Sequence, residues 1–556
     1  MYWRNDESYS VSEDSTTWTN DRLCFHTATE YDNVAYPAQR YYYFTVFAET
    51  NDVFAAKDIH NLEDLKAYAK SIYDPIYPED ANVTDPTDRR NSLNRFVAYH
   101  VLNRYAHYYG VTAVDGENST LAKNFDRSVM DISDWYETMM PYSTMKFSFP
   151  NGTEEGLYIN RRGVQDRADA QGVKIRGAKV MIPEVNNIDI NGLYYYVDDI
   201  VFYDQQALGG ELWRVDATTL SPDFMRLGTD GQTARGHWTR SSIENGKYAE
   251  GGGSPNAVQN TRTCVGFKAG FVENFEFNDM THLHVRPRTL NFWSYAGDEV
   301  TLKGLYDVTI KLPPLPNGEY EIRQGICTGF ESWGAVQYYL DGELQSEFVP
   351  LCLGGNTLLT GELGRVTYNA ERHRFSSYET PIQGFINANL IVTSNLQTIV
   401  NPETHMQEGR SYQIYCKLED VLIDVYQKMT YNEEWQYYET TETTLTNHAT
   451  GEAISMEQLT EWQNQAYEQA IDLFGEFLKA DTKNWMEGPS DYYPGGMSET
   501  SQPFSKLSNT LRRVVGRIKS DGHTDHYLRI RQMMEFSSEL PLDYFEFVPV
   551  SLLDQE

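Results

Sequence analysis

The hydrophobic period changes at Gly209-Gly210, and that change constrains the fold more than any other feature of the chain. From about Tyr41 to Asp204, helical and strand patterns are mixed. Residues 61–73 (NLEDLKAYAKSIY) set Leu62, Leu65, Tyr68, Ala69 and Ile72 on one helical face; residues 94–105 do the same with Phe96, Val97, Tyr99, Val101 and Leu102. Strand pattern follows: Ile188 and Ile190 precede Asn191-Gly192, and a second run extends to Val201. Asn-Gly between two such runs predicts a hairpin turn with positive φ at both residues. Beyond the glycine pair, prolines, glycines and short alternating runs dominate, at 263–271, 306–312, 320–327 and 336–340. Short strands at such intervals predict a sandwich or barrel. One helix interrupts them. Ser455-Met-Glu-Gln458 has the form of a capping box, and Leu459, Trp462, Ala466, Ile471, Phe474 and Phe477 form an apolar stripe behind it. Strand pattern resumes at Leu511 and closes with 527–531 and 543–548. The expected order is an irregular lead-in over 1–40, an α+β domain over 41–208, and an all-β sandwich over 211–556 with a helical insertion at about 455–490.

Charge and motifs exclude several classes of function. Asp and Glu number 80 against 46 Lys and Arg, a net charge of −34, and no basic run exists to displace counterions from a nucleic-acid backbone. Neither G-x-x-x-x-G-K-[ST] nor G-x-G-x-x-G occurs, so no nucleotide is expected; residues 251–255 (GGGSP) read as a flexible loop. The nucleophile elbow G-x-S-x-G is absent too. With 80 acids, some carboxylate pair will fall at the ~5–9 Å of a glycosidase by abundance alone, so no catalytic residue is nominated. His282 and His284 alternate on one strand face, which starts a metal site or is chance alternation on a wet face; the second reading is preferred, and no metal ligand is nominated. The five cysteines lack C-x-x-C spacing, and Cys327 with Cys352 reads as a disulfide or as two small buried hydrophobes. No window of 18 apolar residues appears. Residues 1–20 are polar and acidic, which means cytosolic residence or an export signal already removed.

Tyrosine is abundant, 40 residues against 25 phenylalanines, and suits extracellular binding faces. Sugar binding needs aromatic faces for the C–H side of a pyranose and polar neighbours for its hydroxyls. Candidate rings in turn-flanked loops are Trp293 and Tyr295 (NFWSYAG), Trp333 (FESWGAV), and Trp485, Tyr492 and Tyr493 in the late loop. The same rings would also serve to pack the sandwich or to anchor a protein interface.

Residues 45–54 (TVFAETNDVF) resemble the first signature box of fasciclin domains, with Asn51 or Asp52 capping the next turn and Phe54 anchoring it in the core. Residues 96–102, with Tyr99-His100, are similar to that family's central segment, and 191–201 (NGLYYYVDDIV) to its closing box. Glu49 stands where the family usually has proline, and Tyr195 where it often has histidine. Residues 306–312, 316–323 (PNGEYEIR) and 336–342 (VQYYLDG) resemble a galactose-binding-like jelly roll, the fold of many carbohydrate-binding modules. Together the two resemblances imply an accessory surface lipoprotein of a bacterial glycan-uptake system, non-catalytic and without cofactor. It would bind a polysaccharide or oligosaccharide and stand beside an outer-membrane transporter and its glycan-capturing lid lipoprotein. The resemblance implies a lipid anchor at the outer-membrane surface, which would lie upstream of Met1 because no cysteine precedes Cys24. The alternative is a structural, docking or adhesion subunit without its own glycan site; a glycoside hydrolase comes third. The residues do not place a calcium ion in the sandwich.

Overall fold

The computed structural model of the chain describes residues 33–35, 42–106, 108, 111, 132–149, 156–163, 172–181, 187–189, 191–225, 263–286, 299–329, 333–433, 437–488, 510–534 and 538–555. Strand outweighs helix, and several sheets stack in sandwich-like fashion. The chain forms two compact units, one from 1–327, 338–346 and 486–556, the other from 328–337 and 347–485.

In the first unit, a mixed sheet runs in the order Val101–Leu102, Phe44–Glu49, Gly192–Val197, Ala178–Val180, Leu157–Ile159, Thr144–Phe149, Ile132–Glu137, and Ile188–Asp189 also pairs with Gly192–Val197. Phe44–Glu49 and Gly192–Val197 are parallel. The helix Leu62–Tyr73 starts where Asn61 accepts from the Glu63 and Asp64 amides, a side-chain cap that satisfies two orphan donors. Four local expectations are corrected. Thr50, not Asn51 or Asp52, caps the helix Asn51–Ala55, and Phe54 is only half-buried, the core position passing to Ile59. The second helix covers Ser92–Tyr99 and stops before residue 105, because Val101–Leu102 leave it to pair with Thr45 and Val46. Gly192 lies outside the left-handed region and opens a strand instead of forming the turn. Its glycine is needed for close approach: a Cβ there would lie 2.4 Å from the Phe44 carbonyl oxygen.

Three further sheets complete this unit. One contains Asn33–Ala35, Thr263–Phe267, Thr281–Arg286, Glu299–Gly304 and Ser538–Leu542; a second runs Trp213–Asp216, Tyr544–Pro549, Gly318–Cys327, Thr510–Ser520; a third runs Phe275–Phe277, Asp307–Lys311, Tyr527–Gln532 and on to the hairpin of 338–346. Every residue of Tyr544–Pro549 is buried, so both faces of that strand are covered. Gly325 sits directly opposite Tyr544, and a Cβ on it would meet the tyrosine ring at 2.0 Å. Glu546, fully buried on the same strand, accepts from Arg214 at 3.0 Å through two nitrogens and from Arg512 at 3.3 Å. A carboxylate survives in a dry sheet only with such partners.

The second unit carries the helices Gly355–Thr360, Glu379–Asn389 and Met456–Asp481 and an antiparallel meander of Ile391–Val400, Gln407–Cys416, Val421–Asn432 and Tyr437–Asn447. The capping box forms on its Ser455 side: the hydroxyl accepts from the Gln458 amide at 3.1 Å. One face of the long helix buries Leu459, Ala466, Ala470, Phe474 and Leu478. Leu459 joins Ile414, Cys416, Ile423, Val425 and Leu445 in a core that Trp462, Ile391 and Tyr412 flank. Those residues define the packed face of the meander. The alternate residues along each strand point the other way.

Candidate functional site

The outward face of the meander is where polar and aromatic side chains converge. Cross-strand register places Gln413 opposite Asp424, Ser411 opposite Tyr426, and Tyr415 opposite Leu422. A row of hydrogen bonds crosses it. The Asn395 amide donates to Gln413 Oε1, Gln413 Nε2 donates to Asp424 Oδ1 at 2.8 Å, and His448 Nδ1 lies 2.8 Å from Asp424 Oδ2. The amide of Gln413, then His448, holds the Asp424 carboxyl below its usual range. Each oxygen of Asp424 accepts once within this row, while an ionised carboxylate offers about four acceptor sites, so acceptor capacity remains.

Tyr426 stands beside the row, 40% exposed. Its ring rests on the bare backbone of Gly409: a Cβ there would lie 3.1 Å from the ring's Cε2 and from its hydroxyl. The glycine therefore lets the ring settle against the sheet. An aromatic face is electron-rich, and weakly positive C–H groups pack well on it. The arrangement offers one flat ring flanked by a carboxylate, amides and an imidazole. Chemically it can hold a small polar ring through stacking and hydrogen bonds.

The loop aromatics expected from sequence do not form this face. Trp293, Tyr295, Tyr492 and Tyr493 lie outside the described residues. Trp333 is half-buried. Trp485 is buried, with its indole N–H donated to Asp481 Oδ2 at 2.9 Å, so its ring offers no open platform. Reasoning from sequence looked for rings in loops and missed one in a strand. The signal was present: in 421–432 (VLIDVYQKMTYN) Tyr426 falls on the polar parity, and Gly409 interrupts a neighbouring strand.

The histidine pair is not on a wet face. His284 is buried, and burial, then the Lys303 ammonium, pushes the His282 imidazole down to about 4. Lys303, directly opposite His282, adds a cation that opposes a metal dication. Among the described residues, no group of three or more His, Cys, Asp or Glu side chains is arranged to hold a metal. Cys352 and Cys416 are buried thiols rather than half-cystines, and burial, then Glu419, raises the Cys416 thiol to about 11. No family model matches the chain. No curated protein matches it in sequence either.

Proposed function

We propose that this chain is a non-catalytic glycan-binding protein of the bacterial cell surface, a lipid-anchored accessory subunit of an outer-membrane glycan-uptake complex. The reading takes 41–208 as a fasciclin-like domain and 211–556 as a jelly-roll sandwich with a helical insertion. The observation that carries the binding function is Tyr426 laid over Gly409 beside the Asn395–Gln413–Asp424–His448 row. An open sheet face with one stacking ring suits a polysaccharide, which must slide past rather than enter a pocket. Such a shallow site is expected to bind weakly, with Kd in the range of about µM to mM. Affinity electrophoresis of the whole chain against a panel of polysaccharides tests it. Retardation by at least one glycan, reduced about tenfold or more in affinity by Tyr426→Ala, is the expected result. Retardation that Tyr426→Ala leaves intact moves the site elsewhere, and none with any glycan removes the reading.

A further inference from the structure

The meander ends in a strand built for pairing. Ile391–Val400 stands at the edge of the sheet, and residues 393–400 are all exposed, including Leu396 at 59% and Val400 at 48%. Ten residues (IVTSNLQTIV) contain no charge and no proline, the two devices that commonly guard an edge. The opposite edge, Tyr437–Asn447, carries Glu439 and Glu442.

The unguarded strand is also a near-palindrome in chemistry. Read from both ends it pairs Ile391 with Val400, Val392 with Ile399, Thr393 with Thr398 and Ser394 with Gln397. In a regular strand that pairing would fail, because residues an odd number apart point to opposite faces. Here the ladder with Gln407–Cys416 slips between Ser394 and Gln397, and Asn395 takes φ +54°. One extra residue at the centre inverts the parity of everything after it. Ser394 and Gln397 both register on the outward face, opposite Gln413 and Ser411; Thr393 and Thr398 both register on the packed side, opposite Ile414 and Arg410. Val392 and Ile399 also match, opposite Tyr415 and Gly409. The bulge thus sits where a two-fold axis would pass.

We infer that this edge joins a second copy of the same chain, antiparallel about Asn395-Leu396, extending the four-stranded sheet into one of eight. A two-fold contact must be self-complementary, and this strand places apolar opposite apolar and hydroxyl opposite hydroxyl. Two chains of charge −34 repel, so the neutral strand is where copies can meet without like charges opposed. The contact is short, and the dimer is weak and concentration-dependent.

Sedimentation of the whole chain over a concentration series up to about 0.1 mM tests this. The unmodified chain is expected to dimerise reversibly. Ser394→Lys with Gln397→Lys sets lysine against lysine across the axis and yields a monomer; Ser394→Glu with Gln397→Glu does the same. Mixing the two variants restores a dimer containing one of each, an outcome that misfolding of either variant would not produce. A chain that stays monomeric throughout overturns the inference and leaves the edge to a strand of another protein. A dimer that survives both charged variants, or a mixture that stays monomeric, overturns it as well.

Discussion

The two units use one device to opposite ends. In the first, Tyr544 lies over Gly325 with nothing of the ring left exposed, and the strand carrying it is covered on both faces. In the second, Tyr426 lies over Gly409 and 40% of it meets solvent. Removing a Cβ lets an aromatic ring settle onto a sheet in both places. Whether the ring then serves the core or a ligand depends on what covers its other side. The polar groups nearby divide in the same way. Glu546 is sealed among arginines, whereas Asp424 has exposed neighbours and acceptor capacity left over.

The comparison can be broken most severely at the carboxylates. Glu546→Ala leaves buried arginines without their partner and is expected to cost about 3–5 kcal/mol in urea unfolding, whereas Asp424→Ala stays within about 0.5 kcal/mol. Equal costs would erase the distinction between a sealed and an open polar face. Next in size is a pH effect from the first unit. His282 titrates near 4 when folded against an ordinary value of 6.5, so unfolding takes up a proton between those limits. Stability is fully present above pH about 6.5 and falls by up to about 3 kcal/mol as the pH drops to about 4. Thermal unfolding across that window shows the slope, and His282→Gln is expected to flatten it. Smaller again is Gly325→Ala, about 1–3 kcal/mol by overpacking against Tyr544. Gly409→Ala is expected to cost less than about 1 kcal/mol, since the ring above it can lift into solvent and only the Gln427 carbonyl at 2.8 Å must yield. Parallel denaturation curves rank the pair. Smallest is Tyr426→Ala, within about 0.5 kcal/mol, which sharpens its use as a binding probe because stability hardly moves.

Much of the β architecture was legible in sequence. Alternation located the strands Asp307–Lys311, Gly318–Cys327, Ala335–Leu340 and Tyr527–Gln532 to within one or two residues, and the Ser455 cap located the long helix. Turn and helix ends were less legible, because tertiary pairing decided them. Val101 and Leu102 fit a helical stripe equally well, and only the neighbouring strand at Thr45 draws them out of it. Asn191-Gly192 carried a strong local turn signal, yet the glycine answers the approach of Phe44. The candidate site was the least legible part. It assembles from four segments whose registers, including the slip at Asn395, are set by pairing rather than by any one stretch of residues.

That slip reaches across the sheet. Asn395 presents its amide to Gln413 Oε1, which turns the Gln413 N–H toward Asp424. Asp424, ionised and accepting, leaves Nδ1 of His448 as the nitrogen that must carry hydrogen. The neutral imidazole therefore offers its other nitrogen as a lone pair, with a polarity written by one asparagine about three strand spacings, or ~14 Å, away.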